Sequence, residues 1–235
     1  MNRYERQIIV PEIGRDGQQR ISQARVLIVG AGGLGTPVAT LLVAAGVGHI
    51  GIMDYDTIAT SNLNRQYLYT LSDIGKSKVE TIVERLRLQN PAIEIQSIPC
   101  RLNEEKAMQF FPQFDIICDC TDNAESRILI DKIAFATQKP LVFAAVEGWE
   151  GYVTILHHRK QIRLQDIFSL NLLQEKQLLN MSGIVNTTCS VAGSIQATEV
   201  LKLILQQNSD VLDGKIQCFN LLKCIYKTFQ IHHKS

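Results

Sequence analysis

The sequence predicts an α/β fold: a doubly wound, mostly parallel sheet with an antiparallel portion added towards its C-terminal end. Three observations predict it. Short apolar runs recur at 26–30, 50–54, 93–98, 115–119 and 141–145, each the length of a buried strand, with helix-length segments between them. Strands that alternate with helices build a parallel sheet through right-handed crossovers. Beyond residue 151 the alternation stops, and runs at 215–221 and 224–231 carry the period of a hairpin.

The first strand, Val26-Leu27-Ile28-Val29, leads straight into Gly30-Ala31-Gly32-Gly33-Leu34-Gly35. Thr36-Pro37 opens the first helix of the core, with proline where a missing N–H is harmless, and Gly46 and Gly48 close it. A second helix is marked by Val79, Ile82, Val83 and Leu86 at i, i+3, i+4, i+7, and Asn90-Pro91 stops it. A further strand is expected at 152–156. The stretch 157–183 has no clear period and is long for a connection, so it is assigned as a crossover loop that orders around a ligand. A helix follows, ending near residue 207, with Gln196, Glu199, Lys202 and Gln206 as a polar stripe. The closing hairpin turns near Leu222-Lys223 and is expected to be held by Ile216, Phe219, Leu221, Ile225 and Phe229. The chain length suits one core. Its parts are an N-terminal arm (1–24), a nucleotide-binding core (25–150), the crossover loop (157–183) and a C-terminal helix and hairpin (186–231).

A net charge of +1 gives no electrostatic case for nucleic acid or an anionic membrane. The opening Met-Asn-Arg-Tyr-Glu-Arg lacks a signal-peptide core, and no apolar run is long enough to span a bilayer, so a cytoplasmic location is expected. The six cysteines, Cys100, Cys118, Cys120, Cys189, Cys218 and Cys224, form no C-x-x-C pair; they read as small packing residues, and no structural zinc is expected. Cys118 and Cys120 lie two apart in a strand and should face one side of it.

A glycine loop between strand and helix lets backbone N–H groups approach a nucleotide, and Gly30, Gly32, Gly33 and Gly35 are the candidates here. Asp54 lies 24 residues after Gly30, near the distance at which an acid can accept from ribose hydroxyls, and Asp56 follows it. Next come Ser61-Asn62-Leu63-Asn64-Arg65-Gln66 and then Lys78. Asn62 and Arg65, three apart, would point the same way on a helical turn. Arg65 suits a fork onto phosphate oxygens and Lys78 adds a compact positive charge, so the pattern points to ATP. Asp122 and Asn123 close the 115–119 strand, where ligands of parallel sheets bind; the Asp122 carboxylate is the candidate Mg²⁺ ligand.

Read together, Arg3-Tyr4-x-Arg6-Gln7, the glycine loop, Asp54-x-Asp56, the 61–66 run, Gly75-x-x-Lys78, Cys120-Thr121-Asp122-Asn123 and Gly193-x-x-Gln196-Ala197-x-Glu199-x-x-Lys202 resemble the ThiF/MoeB family. Its members are bacterial relatives of ubiquitin-activating enzymes. The resemblance implies a Rossmann-like fold and ATP-dependent adenylylation of the C-terminal glycine of a small ubiquitin-like sulfur carrier ending in Gly-Gly, of the ThiS or MoaD kind. It also implies a homodimer in which Arg6 of one subunit reaches the other's ATP. Arg65, Lys78, Asp122 and Arg6 are thus the catalytic candidates. The sequence departs from zinc-bearing members, which carry two C-x-x-C pairs, and it resembles the zinc-free ThiF branch. No cysteine precedes Gly183-Ile184-Val185 within 174–182, so a free acyl-adenylate rather than a covalent adduct is expected, with Cys189 as the alternative nucleophile. Competing readings are a tRNA-modifying dehydratase, an NAD-dependent dehydrogenase and a nucleotide-binding pseudoenzyme scaffold.

Overall fold

The computed structural model describes residues 3–169, 183–207 and 209–232. Its strands are β1 (Arg25–Val29), β2 (His49–Met53), β3 (Glu94–Ile98), β4 (Ile116–Asp119), β5 (Leu141–Glu147), β6 (Glu150–Leu156), β7 (Lys215–Asn220) and β8 (Ile225–Gln230). They form one sheet in the order β3-β2-β1-β4-β5-β6-β7-β8. The pairings from β3 through β5 are parallel and those from β5 through β8 antiparallel, as the apolar runs predict.

The helices are α1 (Glu5–Ile8), α2 (Gly14–Gln23), α3 (Gly35–Ala45), α4 (Lys78–Gln89), α5 (Glu104–Phe110), α6 (Ala124–Ala136), α7 (Leu164–Ile167) and α8 (Asn186–Ile204). In β1, Val26 and Ile28 face the layer of α3, α4 and α8, while Leu27 and Val29 face α5 and α6. A strand buried on both sides has no alternation, so β1 reads as a continuous apolar run. Cys118 and Cys120 both join the α3 and α8 side of the core.

Four parts of the sequence reading are corrected or extended. The N-terminal arm is helical and packed. Gln7 Nε2 donates to the Ala45 carbonyl at 3.0 Å and Gln18 Nε2 to the same oxygen at 3.1 Å, which satisfies an orphan acceptor at the end of α3. In the crossover stretch, 157–169 is ordered. His157 Nε2 and the Leu164 N–H both meet Asp131 Oδ1, at 2.8 and 2.9 Å, and Ile162 and Leu164 are buried. The remainder, 170–182, lies outside the described residues. In the polar stripe, Gln196 and Glu199 are buried, because each serves backbone groups rather than water. Glu199 Oε2 accepts from the Leu212 N–H at 2.7 Å. Finally, Ile216 and Phe219 anchor the hairpin as expected, but Ile225 and Phe229 are 40% and 50% exposed. They lie on β8, the edge strand, whose residues are all exposed.

Candidate active site

The strand order reverses between β1 and β4, and a cleft of about 1010 Å³ opens at the carboxyl ends of these strands. A crevice at such a switch point is where parallel sheets bind ligands, because the loops on either side diverge from it. Gly30, Gly32, Gly33, Asp54, Asp56, Arg65, Gln66, Lys78, Asp122 and Asn123 all line it.

The glycine loop is shaped by close approach. Gly30 has φ +104°, and a Cβ there would lie 2.6 Å from the Cys120 carbonyl oxygen. At Gly35, inside the first turn of α3, a Cβ would lie 1.9 Å from the Gly30 carbonyl oxygen. Gly35 therefore lets the helix start against the strand end and does not line the cleft. The start of α3 brings the positive end of its dipole to the loop; within its first turn Pro37 has no N–H, and the N–H groups of Thr36 and Val38 are taken by the Gly32 and Leu34 carbonyls. Tyr69 supports the loop from behind: its buried hydroxyl donates to the Ala31 carbonyl at 2.8 Å. Burial, reinforced by the nearby Asp54 charge, holds the Tyr69 phenol protonated far above its ordinary range, so it stays a donor.

Asp54 ties two loops together, accepting from the Ala31 N–H at 2.6 Å and the Asp56 N–H at 2.8 Å, one on each oxygen. Each oxygen retains a lone pair for a ribose hydroxyl. Lys78, the first residue of α4, is buried, and its ammonium reaches Asp56 at 2.9 Å. Arg65 Nη1 donates to the Ser61 carbonyl at 3.0 Å and to Asn64 Oδ1 at 2.9 Å, which leaves its other N–H groups for the cleft.

Ser61 and Asn64 thus support Arg65 without lining the cleft. Asn62 does not join Arg65: its side chain turns back and accepts from the Ala59 N–H at 3.0 Å, capping the Thr60–Asn62 turn. Arg6 is exposed on α1, packed near the end of α3, whereas the cleft opens at its start. One chain does not bring Arg6 to its own cleft.

Asp122 is exposed at the end of β4, and Asn123 caps α6 by accepting from the Ser126 N–H at 2.8 Å. Asp119 is fully buried at the strand end, and burial raises its carboxyl above the usual carboxylate range, opposed by Arg127 and by hydrogen bonds from Thr121. Cys189, in the first turn of α8, lines the cleft; its Sγ lies 3.0 Å from where a Cβ on Gly33 would stand. Burial raises its thiol pKa more than the Arg65 charge lowers it, so the nucleophilic thiolate is disfavoured.

Several lining residues carry little or no sequence signal of their own. The Arg101 guanidinium stands 5.5 Å from the Tyr55 ring centre, and that of Arg127 5.6 Å from the Phe143 ring. Phe168 packs against Phe143 with the rings tilted at 53° and their centres 5.8 Å apart, and it forms a wall with Ile167 and Ser169. Arg127 had the one readable signal: it stands four residues after the cap Asn123, on the same face of α6.

Among solved structures, one described as E. coli MccB with ATP superposes with a TM-score of 0.86 at 22% identity, covering 99% of this chain and 72% of that one. The sulfur carrier protein adenylyltransferase of Thermus thermophilus is 42% identical over 158 residues, 67% of this chain and 58% of the relative. A Gracilaria tenuistipitata protein named "Probable molybdopterin-synthase adenylyltransferase" is 33% identical over 233 residues, 99% of this chain and 65% of the relative. The chain therefore spans less than two thirds of the length of these two relatives. The ThiF family matches continuously over residues 4–235, which takes in the arm, the glycine loop, both sides of the cleft and the hairpin. The chain belongs to the ThiF family.

Proposed function

We propose that this chain is an adenylyltransferase that uses ATP and Mg²⁺ to activate the C-terminal glycine of a ubiquitin-like sulfur carrier ending in Gly-Gly. The carrier would serve thiamine-thiazole or molybdopterin synthesis. The observation that carries the reading is the convergence of Arg65, Lys78 and Asp122 on one cleft with the glycine loop. A dehydrogenase would need the loop and Asp54 but has no work for those three charges. The adenylyltransferase names of the two relatives support the same chemistry.

In the step proposed, a carboxylate oxygen of the tail glycine attacks the α-phosphorus of ATP. The bond from that phosphorus to the bridging oxygen of the β-phosphate breaks, and pyrophosphate leaves with the electron pair. No proton has to move, and no protein nucleophile is needed. What the reaction requires is positioning and charge neutralisation. The α3 N-terminus and glycine loop would hold the phosphates, Asp54 the ribose, and Arg65 and Lys78 the charge of the departing pyrophosphate. Lys78 would exchange its present partner Asp56 for phosphate oxygens. Asp122 fits Mg²⁺, which takes one or two carboxylates and completes its shell with phosphates and water. When bound, that ion offsets charge on the triphosphate. Arg6 would come from the second subunit of a homodimer, consistent with its distance from the cleft of its own chain. The wall of Phe168 and Ile167 would flank the carrier tail.

Pyrophosphate exchange into ATP tests this, run with candidate Gly-Gly carriers and with NAD binding as control. Exchange that appears only with a carrier is expected. NAD binding without exchange would replace this reading with the dehydrogenase one.

A further inference from the structure

We propose that Asp119 and Arg127 are positioning residues that clamp Thr121, one on its N–H and hydroxyl and the other on its carbonyl, and so set where the following Asp122 carboxylate stands in the cleft. The proposal rests on the reading of Asp122 given above and deepens it. Asp122 is exposed, and among the described residues its carboxylate bonds only the Asn123 amide, at 3.5 Å. Its place is therefore decided by its backbone rather than by contacts of its own side chain.

That backbone is held from both sides. Asp119 Oδ1 accepts from the Thr121 N–H at 2.9 Å and from the Thr121 hydroxyl at 2.6 Å. Arg127 Nη2 donates to the Thr121 carbonyl at 3.1 Å. This carbonyl belongs to the peptide that carries the Asp122 nitrogen, so fixing it fixes the plane from which Asp122 projects. The clamp is itself supported. The Arg127 guanidinium lies over Phe143, a ring buried on β5. Gln196 Nε2 on α8 donates to the Asp119 carbonyl at 2.9 Å and to the Val142 carbonyl at 3.2 Å, joining the last residue of β4 to the neighbouring strand β5.

A second observation separates this from ordinary turn packing. Asp119 Oδ2 and Arg127 Nε are both buried without a hydrogen-bond partner among the described residues. Keeping two half-satisfied buried polar groups beside one turn costs stability that an apolar filling would not. Such a cost is expected where backbone geometry, not stability, is what the site requires.

The test is calorimetric titration of the full chain with ATP, in EDTA and in excess Mg²⁺. The wild type should bind ATP more tightly with Mg²⁺. Arg127→Met, which keeps an apolar side chain over Phe143, and Asp119→Asn should each lose about tenfold of that gain, the size of one charge-assisted hydrogen bond. Their affinity in EDTA should stay within about twofold of wild type, a shift well under one such bond. A merely structural role would weaken binding equally in both media, and that result would overturn the clamp. So would a full Mg²⁺ gain in both variants, provided Asp122→Ala abolishes it. If Asp122→Ala keeps the gain, or the wild type has none, the reading of Asp122 falls and the clamp falls with it.

Discussion

At the scale of single residues, charge is either left available at the cleft or spent on shaping it, and burial separates the two. Asp122 is exposed and packs against little, so Asp122→Ala should keep the fold and its melting temperature. Carrier-dependent pyrophosphate exchange should nonetheless fall by roughly 10²-fold or more, as for other losses of a group that stabilises transferring charge. Asp73 is the opposite case. It is buried, accepts from the Thr70 N–H at 2.9 Å, the Thr70 hydroxyl at 2.7 Å and Lys76 Nζ at 3.0 Å, and pairs with Arg85. These partners, Thr70 foremost, hold its carboxyl well below the usual carboxylate range. A depressed folded pKa contributes stability that is complete above the unfolded value of about 3.9 and fades as pH falls below it. Thermal melts of wild type and Asp73→Asn should thus differ at neutral pH and converge below about pH 4. A constant difference across that range would show that geometry, not charge, is what Asp73 contributes.

At the scale of elements, the glycine loop and the crossover segment are the two parts whose local structure makes the cleft. Gly35→Ala would drive a methyl group into the Gly30 carbonyl. The overlap should cost about 3 kcal/mol, at the upper end for overpacking, or about 6–12 °C in melting temperature for a chain of this size. ATP binding should weaken as well, because the start of α3 must back away from β1. The first half of the crossover segment is part of the core through Ile162 and Leu164, so shortening it there would unsettle the fold. A cut placed within 170–182 avoids those contacts. It should leave ATP binding intact and abolish carrier-dependent exchange; unchanged exchange with the carrier would remove this segment from the mechanism.

At the scale of the whole molecule, Arg6 and the cleft lie towards opposite ends of helix α3. Arg6 sits on an arm tied to the last turn of α3 through Gln7, and the cleft begins at the first turn of the same helix. A helix of 11 residues separates these ends by about 16 Å. The proposed homodimer would resolve this by letting each arm serve its partner, and two-fold dimers are the commonest oligomers. Mixing inactive Arg6→Ala with inactive Asp122→Ala under conditions of subunit exchange should restore part of the activity, since hybrids contain one site with both residues. Size-exclusion and light scattering would establish the exchange. No recovery in proven hybrids would exclude Arg6 from the partner's site.

The sequence by itself determined the strand and helix alternation, the parallel core with its antiparallel extension, the glycine loop and most of the charged residues that line the cleft, whereas the order of the strands came from the structure. These features are local: an apolar run such as Val26-Leu27-Ile28-Val29, a proline at a helix start, or an acid at a fixed distance beyond a glycine loop is legible without neighbours. Tertiary structure alone decided which polar residues face water and which serve the backbone. Asn62 caps a turn instead of joining Arg65, and Gln196 and Glu199 are buried instead of exposed. Ile225 and Phe229 are left on an edge strand, and Arg127 is brought to Thr121 across the start of α6. The physical reason is that a polar side chain takes its role from the partner within hydrogen-bond reach. For Asn62 that partner is three residues away on the same turn, but for the buried side chains it stands on another element, 77 residues away for Gln196 and Asp119, and only folding brings it there.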